Sequence, residues 1–146
     1  MSFDPACLVN IALAALALAF YIVGSRRFHR LRRPFLVWFV TAIAVDATTA
    51  VLASFRITPT TMLPGMEIVP WDSPLFIVHI TMASIGFFGF IAMLLFILAC
   101  GREKPYPRLR VFQYRVLLPV WLVGEGIALV NSLVKLIWKI RLFDYV

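Results

Sequence analysis

Four apolar runs, each close to the length a helix needs to cross a bilayer, fill most of this 146-residue chain, and the charged side chains fall almost entirely between them. The runs are Cys7 to Gly24, Pro34 to Phe55, Pro74 to Gly101 and Val116 to Ile137. A hydrocarbon core about 30 Å thick takes roughly 20 residues of helix at about 1.5 Å each. Backbone polar groups in hydrocarbon must bond within the protein, which leaves helices and closed barrels as the spanning structures. Barrel strands alternate in polarity over about 10 residues, whereas these runs are continuously apolar. The expected fold is all-α: a single transmembrane domain over residues 1–146, an antiparallel four-helix bundle.

Composition points the same way, because 62% hydrophobic against 14% charged residues and a mean hydropathy of +0.94 leave too little polar surface to coat a soluble globule. The net charge of +7 is first a sidedness signal, since cytoplasmic loops retain Lys and Arg. The first loop carries Arg26, Arg27, Arg30, Arg32 and Arg33 with no acid, and the third carries Arg102, Lys104, Arg108, Arg110 and Arg115 against Glu103. The second has only Arg56 against Glu67 and Asp72. Loops one and three are therefore expected in the cytoplasm and both termini outside, with Lys139 and Arg141 running against the rule. Arg26, Arg27, Arg30, Arg32, Arg33, Arg108, Arg110 and Arg115 are placed to meet anionic lipid headgroups or a cytoplasmic partner. Nucleic acid is excluded as a partner, because no soluble surface of interleaved bases and aromatics exists.

The first run contains Ala17-Leu18-Ala19, which resembles a signal-peptide cleavage site, but MSFDPAC ahead of it has an acid and no base. A retained helix is expected. Cys7 and Cys100 belong at opposite ends of the bundle, too far apart for a disulfide, and they form no thiol motif. Pro34 and Pro74 suit first helical turns, where a missing N–H costs nothing. Pro119 lies inside the fourth run and is expected to kink it. Residues 56–73, with Pro59, Pro64, Gly65 and Pro70, read as an irregular cap.

The residues that carry functional information are polar ones inside the runs: Asp46, His79, Glu125, Asn131 and Lys135. An ionisable side chain in hydrocarbon costs several kcal/mol and faces protein or a water-filled cavity. Asp46 lies roughly 18 Å in from Pro34, near mid-bilayer, and Glu125 reaches a similar depth from Val116. Residues three, four and seven apart share a helical face. Ala42, Asp46, Thr49, Ala50 and Ala53 form one stripe of small residues around an acid. Trp121, Glu125, Ala128, Asn131, Ser132 and Lys135 form a polar stripe, with Gly124, Ala128 and Ser132 as a small-residue seam beside it. The two stripes are expected to face each other. Three roles stay open for them: hydrogen-bonding struts, a proton, ion or quinone-headgroup path, or contacts with a partner subunit.

A four-helix bundle with two axial histidines would suit haem b, but only His29 and His79 are present, one in the first loop and one in the outer third. Roughly 20 Å separates them along the membrane normal, so one haem cannot span both. Haem b held by His79 with a methionine such as Met62, Met66 or Met82 is the remaining form. No metal is expected, since one His and scattered carboxylates do not make a ligand set, and no cofactor is predicted. Nothing groups a nucleophile with a base and an orienting residue, and no phosphate-binding glycine loop occurs, so an enzyme is not expected.

Four spans, His29-Arg30 in the first loop, His79 early in the third span, and Arg115 followed by Pro119-Val120-Trp121-Leu122 resemble the CtaM/YozB family of small bacterial membrane proteins. A weaker likeness runs through Asp46-Ala47-Thr48-Thr49 and His79 to the HsmA family. The first resemblance covers nearly the whole chain and implies the bacterial inner membrane and a part in cytochrome c oxidase maturation, with histidines as haem or copper contacts. The chain departs from both patterns: a His-Arg-Arg run before the fourth span is Arg110-Val111-Phe112 here, and a second histidine of the third span is Met93.

The leading expectation is a non-catalytic accessory or assembly subunit of a membrane-bound respiratory or redox complex, packing against larger membrane subunits. The alternatives are a haem- or quinone-associated electron-transfer subunit using His79, and a small proton or ion pathway using Asp46 and Glu125.

Overall fold

The computed structural model describes residues 5–32, 34–54 and 74–138, all of whose regular structure is helical. Helices α1 (Pro5–His29), α2 (Phe35–Ser54) and α3 (Pro74–Cys100) are followed by a short α4 (Pro107–Phe112), a wide π-turn (Gln113–Leu117) and α5 (Leu118–Trp138). The last three form one unbroken rod. Among the described residues four helical segments are long and apolar enough to cross a membrane. The loop expected at 56–73, Arg33 and the tail with Lys139 and Arg141 lie outside the described residues.

Two boundaries differ from the apolar runs. The first helix continues five residues past Gly24 to His29, because Ser25 and Phe28 are buried and packing extends the helix beneath the arginines. Arg26, Arg27 and His29 are thus helical residues, not loop ones. The fourth segment starts at Pro107 rather than Val116. Its basic residues Arg108, Arg110 and Arg115 sit on helical backbone, and the preceding connection shrinks to the residues after Cys100, where Gly101 takes φ 106° as a helix terminator.

Each helix buries a narrow stripe at helical spacing. On α1 it is Ala17, Tyr21, Ser25 and Phe28, and on α2 Phe35, Phe39, Ala42 and Asp46. On α3 it is Phe76, His79, Gly86, Phe90, Met93 and Ile97, and on α5 Leu118, Trp121, Gly124 and Asn131. The remaining faces are apolar and exposed, as with Phe88, Leu95 and Val123, which suits lipid as the surrounding solvent.

The helices associate mainly as two pairs, α1 with α2 and α3 with α5, joined through α1 and α5. Small residues set the second pairing. A Cβ on Gly86 would collide with Trp121, and one on Gly124 with the backbone of Ala83. Close approach of this kind supplies the packing that drives helix association in lipid.

The expected kink at Pro119 takes another form. Proline lacks the N–H that would bond Arg115 and its ring crowds that carbonyl, and the rod widens just upstream, where the Leu118 N–H bonds the Gln113 carbonyl five residues back. A π-turn takes up one extra residue within an otherwise continuous helix.

Candidate functional site

Toward the basic end of the bundle the interior is filled by rings. Phe28 lies 4.8 Å from Phe35 and 6.0 Å from Phe39, Phe39 lies 5.5 Å from Phe90, and Tyr21 lies 4.5 Å from Phe90 and 4.2 Å from Trp121, centroid to centroid. Such pairs add about 0.5–1.5 kcal/mol each beyond their burial. This aromatic plug ends in a polar floor. The Tyr21 hydroxyl donates to Asp46 Oδ2 at 3.2 Å and Trp121 Nε1–H donates to the same oxygen at 2.9 Å. Two donors on one oxygen compensate much of the cost of burying the carboxyl.

Beyond the floor, in the half farther from the arginines, the helix pairs leave a cavity of about 430 Å³. Its polar lining comes from all four long helices: Asn10, Asp46, Thr49, His79, Ser84, Glu125 and Ser132. Its walls are apolar, with Phe76, Phe87 and Phe88 on one side and Ala128 and Leu129 on another. Among the described residues its rim includes exposed Ala50 on α2 and exposed Ile80 and Phe88 on α3. These residues lie on α2 and α3, helices that touch each other little. A site of this size, mostly apolar with a few convergent polar groups, is the usual form of a small-molecule pocket.

The polar groups differ in how they are held. Asp46 is fixed by its two donors, and Thr49 is engaged with the Val45 carbonyl at 3.0 Å. His79 Nδ1 lies 2.7 Å from the Gly124 carbonyl, an oxygen that can only accept, so Nδ1 carries the proton and donates. Glu125 makes no hydrogen bond or ion pair among the described residues. Asn10 Oδ1 likewise has no hydrogen-bond partner among them.

The two stripes read from the sequence do meet here. They face each other across the cavity through Asp46, Thr49 and Ala50 on one side and Glu125, Ala128 and Ser132 on the other, with Trp121 bridging to Asp46. Asn131 is buried beside the cavity and Lys135 half-buried one turn farther along α5, neither forming its wall. Tyr21 escaped the sequence reading, since a tyrosine in an apolar run looks like any core ring.

A second polar cluster, also unforeseen, occupies the basic end. Gln113, fully buried in the π-turn, donates through Nε2 to the Ser25 hydroxyl. Arg110 Nη1 donates to the His29 carbonyl at 2.9 Å, and His29 stacks on Tyr114 at 4.8 Å. Arg27 lies 5.5 Å over the Trp38 ring. Arg110 and Arg27, expected at lipid headgroups or a partner, are thus engaged within the chain, whereas Arg26, Arg30, Arg32, Arg108 and Arg115 are exposed. His29 and His79 sit in the two opposite halves, at Tyr114 and at Gly124. Among the described residues no three His, Cys, Asp or Glu side chains are grouped as metal ligands.

No protein-family model matches the sequence, and no curated protein and no solved structure is significantly similar to it.

Proposed function

We propose that the protein is a non-catalytic accessory subunit of a bacterial respiratory or redox complex, whose contribution is to hold a small bilayer-soluble molecule in its intramembrane cavity. The observation that carries this reading is the cavity itself: apolar walls that include exposed residues of α2 and α3, and polar groups supplied by Asp46, Glu125 and His79. A molecule with an apolar body and a hydrogen-bonding head fits both parts. The sealed aromatic half argues for holding over conduction, since a polar path across the whole bundle would have to pass the Phe39, Phe90 and Trp121 layer. The CtaM/YozB likeness supports the redox setting. Larger membrane subunits would pack on exposed apolar faces such as Phe88, Leu95 and Phe96 of α3.

The test is chemical extraction of protein purified in nanodiscs, beside an Ala128→Phe variant that fills the cavity. A lipid-soluble compound near one per chain, lost in the variant, is the expected result, and equal recovery from both would overturn the reading. The haem b alternative is separated by the visible spectrum of the same sample: a Soret band that disappears in His79→Ala would replace the proposal with it.

In the membrane we place the four spans antiparallel, with the first and third connections in the cytoplasm and both termini outside. The support is the run of basic residues around Arg26 to Arg33 and Arg102 to Arg115. Reporter fusions after Arg33 and Lys104 should read cytoplasmic and one at Gly65 external. The reverse pattern would put the cavity in the cytoplasmic leaflet.

A further inference from the structure

We infer that the cavity selects an amphipathic organic cation, a compact apolar body bearing an ammonium head, with Glu125 as its counter-ion. The inference rests on the preceding reading that the cavity holds a bilayer-soluble molecule, and names the chemistry of its head.

Three observations converge. Among the described residues the cavity is lined by two carboxyl groups, Asp46 and Glu125, and by no Lys or Arg. Of these, Asp46 is already provided with two donors from Tyr21 and Trp121, whereas Glu125 has neither a hydrogen bond nor an ion pair among the described residues. The buried Oδ1 atom of Asn10, a residue of the same wall, is a second acceptor without a donor among the described residues. Vacant acceptors call for a guest with N–H or O–H groups, because a buried acceptor left unpaired costs free energy. A lone carboxylate in an apolar enclosure calls further for positive charge, since its Coulomb interactions are strong where water is scarce. The walls agree: Phe76, Phe87 and Phe88 offer ring faces and edges to the guest, and aromatic faces attract ammonium groups. A quinone, with acceptors alone at its head, would set its carbonyls against Glu125 and Asn10 and satisfy neither unless the acid is protonated.

The roles of the acids then separate. Asp46 is the positioning residue, holding the Tyr21 and Trp121 floor, and Glu125 is the group that meets the ligand.

A matched pair of probes tests this on the full chain in nanodiscs of zwitterionic lipid: 1-adamantylammonium and 1-adamantanol, alike in shape and differing in charge. Binding is read by calorimetry and by tryptophan fluorescence, since Trp121 is hydrogen-bonded to Asp46 of the cavity wall. The ammonium should bind at least about tenfold more tightly than the alcohol, the range expected for a charge-assisted hydrogen bond. Glu125→Gln should erase that preference with thermal stability and elution volume unchanged, while Glu125→Asp, which keeps the charge, should retain part of it. Equal binding of both probes, unaffected by Glu125→Gln, would overturn the cation assignment and leave the cavity reading standing. Binding of neither probe by a folded protein would sink both.

Discussion

Replacing Gly124 with valine should separate α3 from α5 and produce the largest loss of stability of any single substitution at the helix seams. A Cβ at this position would enter the backbone of Ala83, not the end of a flexible side chain. Relief therefore requires one whole helix to shift, and overpacking of this kind costs roughly 3 kcal/mol or more. The shift would also displace the Gly124 carbonyl from His79 Nδ1, so one substitution disturbs both the seam and the site wall. Gly126, two residues on, is the internal control, because a Cβ there meets nothing within 4 Å. Gly126→Ala should leave stability unchanged or raise it by up to about 1 kcal/mol through helix propensity. Thermal unfolding of the two variants in detergent, followed by near-ultraviolet circular dichroism, reads the contrast. Similar midpoints for both would contradict the close helix approach.

Asp46→Leu ranks second. It leaves the Tyr21 hydroxyl and the Trp121 N–H buried without their acceptor, at about 1–3 kcal/mol for each stranded group. Asp46→Asn keeps an oxygen where both donors point and should cost about 1 kcal/mol or less. The expected order of thermal midpoints is wild type, then Asn close behind, then Leu far below. If Asn proves as damaging as Leu in a protein that still folds, the negative charge of Asp46 itself is required, and its role as a strut would have to give way to one in ion binding.

Helix number and the identity of the interior polar residues were legible because lipid enforces a simple grammar: continuous apolar length for a span, and three-to-four spacing for a buried face. Asp46 and Glu125 could be paired across the bundle on those grounds alone. The cavity between them could not, since it is a gap left by how the helices pack, as where Gly86 meets Trp121 and Gly124 meets Ala83. Nothing in the spacing of one helix reports how closely it approaches another. The segment from Pro107 to Arg115 was misread as a loop because its arginines look solvated. It is helical because Arg110 and Gln113 find partners on α1, at His29 and Ser25, which lie 81 and 88 residues away in sequence. Lys135 and Asn131 shared the spacing of Glu125 but lie off the cavity wall, Asn131 buried next to the lining residue Ser132 and Lys135 about one turn beyond it.

The π-turn also acts as a phase adjuster between the two ends of the molecule. Gln113 and Trp121 are both fully buried although they are eight residues apart in sequence, a separation that in a regular helix puts side chains about 80° out of line. With one residue absorbed by the wide turn, the interval counts as about seven, close to two whole turns, and both side chains come to the same face. Deleting one residue between Gln113 and Leu117 would leave a regular helix of the same phase, whereas inserting one would rotate the segment that follows by about 100°. Gln113 could then keep Ser25, or Trp121 could keep Asp46, but one rigid rod could not present both. The sensitivity of this stretch is thus to added length before it is to side-chain identity: a one-residue insertion at exposed Val116 should do more harm than any polar substitution there.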